Sequence, residues 1–218
     1  MSNSKPLLGI LGGTFDPVHE GHILLARHAL QQLNCERVEF IPCRLPVNKA
    51  PSQATPQQRL DMLALATAEY SNFSINCCEI ERSQPSYMLL TMQQLQIQYP
   101  KHHLVLILGM DAFNGFQQWF QWQEILRYCH LAVGQRTSQQ TDVLLDSNWY
   151  KSSFITSAQR LTEQAAGLVF FMDNPLLDIS STTVRQTALL HHLALHCDVA
   201  TYIAQHQLYQ TISKNQSG

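Results

Sequence analysis

Residues 12–22 read GGTFDPVHEGH and directly follow the short apolar run LLGIL. Gly12 and Gly13 carry no Cβ, so a ligand can lie against the backbone there. Thr14 and Phe15 offer backbone N–H groups, Thr14 adds a hydroxyl, and His19 and His22 bring imidazole donors three residues apart. A helix beginning near His22 turns its positive dipole end toward the same place. Glycines, donors and a helix N-terminus together make an anion site, most often one for phosphate. The stretch is not a P-loop, because the Gly-Lys-Ser/Thr ending is missing. It is not the dinucleotide fingerprint either, because G-x-G-x-x-G is missing. Two histidines at this spacing also suit a metal, but no third ligand stands at a matching distance and there is no H-E-x-x-H. Nucleotide phosphate is therefore preferred, with no protein-held metal.

A second cluster, ISSTTVR, spans residues 179–185. Ser180, Ser181 and Thr182 can cap a following helix, which would account for them without a ligand. The same helix start also offers unpaired N–H groups. Arg185 falls on the face of Thr182, and its guanidinium matches phosphate geometry. A third candidate is Asp111 in GMD (109–111), for which helix capping is the plain alternative. Trp119 and Trp122 follow at helical spacing, and core packing is the usual work of such tryptophans.

The elements that carry these groups alternate. LLGILGG (7–13) is a continuous apolar run ending on glycine, as a buried parallel strand does, and HILLARHALQQL (22–33) has helical spacing. RVEFIPC (37–43) reads as a strand and 44–56 as a loop. PQQRLDMLALATAEY (56–70) reads as a helix capped by Thr55, with Pro56 at its first position. FSINCCEIE (73–81) is strand-like, and Ser86 can cap a helix over 87–99. HLVLILGM (103–110) is the strongest strand, followed by a helix over 111–126, irregular at Gly115, and a strand over 129–136. Within 137–166 only SAQRLTEQ (157–164) has a helical pattern. A strand over 167–173 and helices over 183–193 and 198–209 complete the series. This alternation predicts an α/β, Rossmann-like doubly wound fold, with a mainly parallel sheet and helices on both faces. Ligands in such sheets bind beyond the carboxyl ends of the strands at a topological switch point, and all three clusters lie at strand exits.

The length of 218 residues suits a single domain over 1–218. Lys plus Arg total 14 and Asp plus Glu 16, a net charge of −2, so no basic excess points to nucleic acid. The opening residues do not read as a signal peptide, and no run approaches the roughly 20 apolar residues of a membrane helix. The six cysteines contain no C-x-x-C pair and read as reduced thiols of a cytoplasmic protein.

GGTFDPVHEGH and ISSTTVR resemble the two signatures of the H-x-G-H nucleotidyltransferase superfamily. Within it the chain is similar to the bacterial nicotinate-nucleotide adenylyltransferases. The likeness runs on through QRLDML, ERSQPSY (81–87), LILGMDAFNGFQQWFQW (106–122) and VATYIAQHQLY (199–209). It implies condensation of ATP with nicotinate mononucleotide to nicotinate adenine dinucleotide and pyrophosphate, without a covalent enzyme intermediate. His19, His22 and Arg185 would hold the ATP phosphates, Thr14 would orient them, and Ser180 and Ser181 would border the same nucleotide. Trp119 would stack on the pyridine ring, Asp111 would meet the ribose or base region, and Lys49, Ser86 and Tyr87 would complete the second substrate's site. Mg2+ would be held mainly by substrate phosphates.

Two segments depart from the family pattern. PVNK (46–49) keeps Lys49 but has Asn48 where histidine is common. PSYMLLTM (85–92) has Met88 and Leu90 in place of a threonine and an acidic residue. That second departure bears on the choice between nicotinate and nicotinamide mononucleotide, which differ by a carboxylate against an amide. Pantetheine-phosphate adenylyltransferases share the H-x-G-H logic but lack the GMD…W segment. A non-catalytic nucleotide sensor would be marked by loss of His19, His22 or Arg185, and all three are present.

Overall fold

The computed structural model describes residues 5–47, 51–134, 148–173, 179–186 and 194–209. Seven strands form one sheet: β1 (Leu7–Gly13), β2 (Arg37–Pro42), β3 (Phe73–Ile75), β4 (His103–Gly109), β5 (Cys129–Gly134), β6 (Phe154–Ile155) and β7 (Val169–Met172). Their order is β3-β2-β1-β4-β5-β7-β6, and every ladder is parallel. The chain runs outward from β1 to β3, then crosses back to place β4 on the other side of β1. The switch point lies between β1 and β4, and their ladder stops at Ile10–Leu106, short of the strand ends at Gly13 and Gly109. A cleft opens where the two strands part.

Side chains alternate along each strand, so each face builds its own core. On one face Leu7, Leu11, Val38, Phe40, Val105 and Ile107 meet the apolar sides of α1 (Glu20–Leu33) and α2 (Pro56–Thr67). On the other, Leu8, Ile10, Leu104, Leu106 and Leu131 meet α4 (Met88–Gln98) and the segment holding α5 (Met110–Asn114) and α6 (Trp122–Ile125). The short helices α3 (Cys78–Glu81) and α7 (Ser181–Gln186) follow strand exits, and α8 (Cys197–Gln205) packs on α2. No described helix is long and apolar enough to cross a membrane.

Thr55 caps α2 as its sequence predicts: its hydroxyl accepts from Gln58 N–H at 3.2 Å, and the Gln58 side chain accepts from Thr55 N–H at 2.9 Å. Elsewhere the structure corrects the sequence. FSINCCEIE is strand only over Phe73–Ile75. The Asn76 amide donates to Glu39 at 2.8 Å and its carbonyl accepts from Cys78 N–H at 3.1 Å, turning the chain into α3. Residues 111–126 are not one helix. Gly115 ends α5, a 3-10 turn follows at Phe116–Gln118, and Gln121 takes a left-handed φ of 47° before α6. Trp119 and Trp122 therefore do not share a helical face; both lean on the buried Phe116 ring. Ser86 does not cap α4, whose N-cap is Tyr87 without a side-chain bond. SAQRLTEQ contains a 3-10 helix at Ala158–Thr162, and the edge strand β6 lies in the part of the chain with no clear sequence pattern. The last turn predicted for the final helix is absent, since Gln207 and Tyr209 have φ of 52° and 59°. The expected strand end at 135–136 and helix end at 187–193 lie outside the described residues.

Gly9 sits at the centre of the sheet, where a Cβ would lie 2.9 Å from both Ile107 Cδ1 and Val38 Cγ2. Gly9→Ala is expected to destabilise the fold by about 1–3 kcal/mol, read as a lower urea midpoint at unchanged slope. An unchanged midpoint would show that the two neighbours yield freely. His130 is fully buried, accepting from Leu168 N–H at 3.1 Å and facing the Gln164 carbonyl at 3.1 Å, and burial pushes its pKa down to about 4. The unfolded chain therefore takes up this proton first as pH falls from 6.5, and stability drops down to about 4. This one group is expected to remove about 2 kcal/mol between pH 7 and pH 5. Urea titrations at the two values should show a smaller drop for His130→Asn.

Candidate active site

Beyond Gly13 the chain turns through Thr14–Val18 before α1 begins, with His19 as the N-cap residue. Phe15 has a left-handed φ of 50°, and its ring is buried between His22, 5.0 Å away edge-on, and Phe40 at 5.8 Å. A Cβ on Gly13 would stand 3.0 Å from that ring, and one on Gly12 would stand 2.5 Å from Met88 Cε. Intrachain packing thus already accounts for both glycines. It leaves the strand exit bare of side chain, as a close-lying anion requires.

The two imidazoles lie against each other, with ring centroids 3.8 Å apart. His22 Nδ1 accepts from the His19 backbone N–H at 3.2 Å, which places the proton of the neutral His22 ring on Nε2. His19 is 7% exposed, and its Nδ1 is buried with no bond from the protein. Burial alone lowers its pKa to about 4, so the ring is neutral at pH 7. Gly21 makes this pairing possible, because a Cβ there would stand 3.0 Å from the His19 ring. Imidazoles held in this way can donate to phosphate oxygens.

ISSTTVR meets this loop from the far side of the chain. Ser181 Oγ donates to the Pro17 carbonyl at 3.0 Å, and Arg185 NH1 donates to the Asp16 carbonyl at 2.6 Å. Arg185 NH2 also donates to Thr182 Oγ1 at 3.1 Å, so the two residues share a face as their spacing predicts. Ser180 does what its capping alternative proposes, its hydroxyl accepting from Thr183 N–H at 3.1 Å.

The second half of the cleft lies toward β4 and β2. Ser86 Oγ accepts from Arg44 N–H at 3.1 Å, tying the 83–87 turn to the exit of β2. Beneath it Glu79 is buried, its carboxyl pushed up by burial and holding the Thr91 hydroxyl at 2.5 Å. The Tyr87 ring lies 4.6 Å from that of Phe120, which brings the turn against the residues after the 3-10 helix. Trp119 is partly exposed, 5.3 Å from Phe116. Asp111 is exposed in the first turn of α5, but Gly109 is the N-cap, so the capping alternative for Asp111 fails. Met88, reaching to Gly12, joins the two halves. Lys49 lies outside the described residues.

Three residues missed by sequence reasoning hold this arrangement. Arg59 is fully buried, donating to the carbonyls of Thr14 at 2.6 Å, Cys43 at 2.7 Å and Arg44 at 3.3 Å. It clamps the exits of β1 and β2 together. Its position offered a signal: it falls on the inward face of α2 with Met62, Leu63 and Ala66, where an arginine needs partners. Asp16 is 4% exposed, and its carboxylate accepts from Gln53 N–H at 2.8 Å, Ala54 N–H at 3.1 Å and Tyr209 O–H at 2.7 Å. No spacing rule links Asp16 to Tyr209, 193 residues away.

The cytidylyltransferase-like family model matches residues 10–187, which include both clusters. Among curated relatives, a probable nicotinate-nucleotide adenylyltransferase of Pseudoalteromonas atlantica is 36% identical over 96% of this chain and 98% of its own. One of Shewanella frigidimarina is 35% identical over 93% and 99%. Among solved structures, a Plasmodium falciparum nicotinic acid mononucleotide adenylyltransferase complexed with NaAD superposes with a TM-score of 0.69. It covers 94% of this chain and 97% of that one at 18% identity, a likeness of fold. With both signature clusters on one cleft and the match running over nearly its whole length, the chain belongs to the cytidylyltransferase-like nucleotidyltransferases, in the nicotinate-nucleotide adenylyltransferase family.

Proposed function

We propose that this chain condenses ATP with nicotinate mononucleotide to give nicotinate adenine dinucleotide and pyrophosphate in NAD biosynthesis. It acts as a single domain over 1–218 in the cytosol. The observation that carries the reading is the bond from Arg185 to the Asp16 carbonyl, which sets the guanidinium beside the loop of His19 and His22. The function of the relatives supports the choice of substrates.

A phosphate oxygen of the mononucleotide attacks the α-phosphorus of ATP. The bond from that phosphorus to the bridging oxygen breaks, and pyrophosphate leaves with the electron pair. Both reactants are anions, so the work of the protein is positioning and charge stabilisation rather than nucleophilic attack. His19, His22 and Arg185 hold the phosphates of ATP, over the backbone of Gly12, Gly13, Thr14 and Phe15, with Ser180 and Ser181 at the border. The negative phosphates favour protonation of the His19 ring, which is neutral in the ligand-free protein at pH 7. Trp119 receives the pyridine ring, and Lys49, Ser86, Tyr87 and Asp111 surround the rest of the mononucleotide.

Enzymes of this class use a divalent metal, and here we assign Mg2+. When bound it neutralises phosphate charge. The donor set of the cleft suits a metal carried by the substrate. Asp16, the acidic residue of the loop between β1 and α1, has both carboxylate oxygens bonded to N–H and O–H donors.

Pyrophosphate release with ATP and magnesium is expected with nicotinate mononucleotide, and only weakly with nicotinamide mononucleotide or phosphopantetheine. Preference for the nicotinamide form would keep the mechanism and overturn the substrate. His22→Ala is expected to lower kcat by about a hundredfold or more with an unchanged circular dichroism spectrum. Undiminished turnover in that variant would remove His22 from the phosphate site.

A further inference from the structure

We infer that Asp16 and Tyr209 are positioning residues for Arg185: the Tyr209 hydroxyl, by occupying the Asp16 carboxylate, sets how firmly Asp16 holds the guanidinium and so how readily Arg185 reaches the ATP phosphates. The inference rests on the adenylyl-transfer reading for its ligand but concerns residues which that reading does not use.

Arg185 has two links to Asp16. NH1 donates to the backbone carbonyl at 2.6 Å, and the same nitrogen lies 3.9 Å from carboxylate oxygen Oδ2. The second link is an ion pair stretched to the edge of contact, between a side chain 5% exposed and one 22% exposed. In so dry a place a full carboxylate charge would draw the guanidinium inward. That charge is instead spread over three donors: the N–H groups of Gln53 and Ala54 and the Tyr209 hydroxyl at 2.7 Å. The two backbone donors belong to the loop before α2. The Tyr209 hydroxyl is the one side-chain O–H donor in the set. Burial, and then its bond to Asp16, push its pKa well up, so it remains a donor at all working pH. Arg59 contributes less directly, since its guanidinium is spent on the carbonyls of Thr14, Cys43 and Arg44.

Without the Tyr209 hydroxyl, Oδ1 keeps only Ala54 N–H, and the carboxylate regains pull on Arg185. The fork then closes on Asp16 and is withdrawn from phosphate. A hydrogen-bonded clamp that only docks the end of the chain would not do this. The helix before it supplies the comparison: the Tyr202 hydroxyl donates to Asp61 Oδ2, also at 2.7 Å, joining α8 to α2 without touching the cleft loop.

The test combines Tyr209→Phe, Tyr202→Phe, Arg185→Ala and the double variant Tyr209→Phe/Arg185→Ala. The readouts are the Kd of a non-hydrolysable ATP analogue by calorimetry, KM for ATP, kcat, and urea stability. Tyr209→Phe is expected to raise both Kd and KM for ATP about three- to tenfold, while KM for the second substrate is unchanged. Tyr202→Phe should lose similar stability and leave Kd and KM where they were. In the Arg185→Ala background, Tyr209→Phe should have no further effect on Kd, because the two act through one group. Additive effects in the double variant, or equal kinetics for Tyr209→Phe and Tyr202→Phe, would overturn the inference and leave Tyr209 a plain clamp. A wild-type protein that binds the ATP analogue but does not react with nicotinate mononucleotide would refute only the proposed substrate. One that binds no ATP analogue would overturn both.

Discussion

A buried carboxylate cannot stand alone, and around Asp16 that constraint organises the cleft. Taking an ion from water into the protein interior is tolerable only when its oxygens are met by donors. Asp16 finds them in two distant places, the loop before α2 and Tyr209 beyond the last helix, while the arginine of α7 donates to its backbone carbonyl. Asp16 thereby ties these segments to the loop after β1. Arg59 does the converse, a buried cation bonded to three carbonyls from the exits of β1 and β2. Between them the two charges shape a loop whose backbone is otherwise almost free of regular hydrogen bonding.

The sheet explains why that loop is where it is. Helices from successive crossovers cover opposite faces on the two sides of β1, so the ends of β1 and β4 are left without a covering connection between them. The loop after β1 therefore borders the cleft and has to be rigid, with Phe15–His19 all buried. Phe15 supplies rigidity from below by sinking its ring into the core, and the glycines beside it make room for that ring and for Met88. The sparse side chains of the strand exit thus serve packing.

Most strands and long helices were legible in sequence, because continuous apolar runs and helical periodicity report burial directly. β1, β2, β4 and α2 are found within a few residues of their expected bounds. The misreadings share a cause. At 73–81 and 111–126 local apolar pattern was overridden by single contacts: the Asn76 amide held by Glu39 in one case, the buried Phe116 ring and the left-handed Gln121 in the other. The edge strand β6 is two residues long and carries too little pattern to be seen.

The sequence by itself determined the parallel α/β architecture, the position of GGTFDPVHEGH and ISSTTVR at strand exits, and the cap of α2. These follow from interactions between residues near in the chain, or from a hydrophobic pattern that repeats. Only the tertiary structure decided that Arg185 rests on the Asp16 carbonyl, that Ser180 caps its own helix while Ser181 grips Pro17, and that His19 is buried and neutral. Nor could the sequence show that Tyr209 completes the shell of Asp16. Such contacts are set by which surfaces the folded sheet brings together, and no local spacing encodes a hydrogen bond between residues that far apart in the chain.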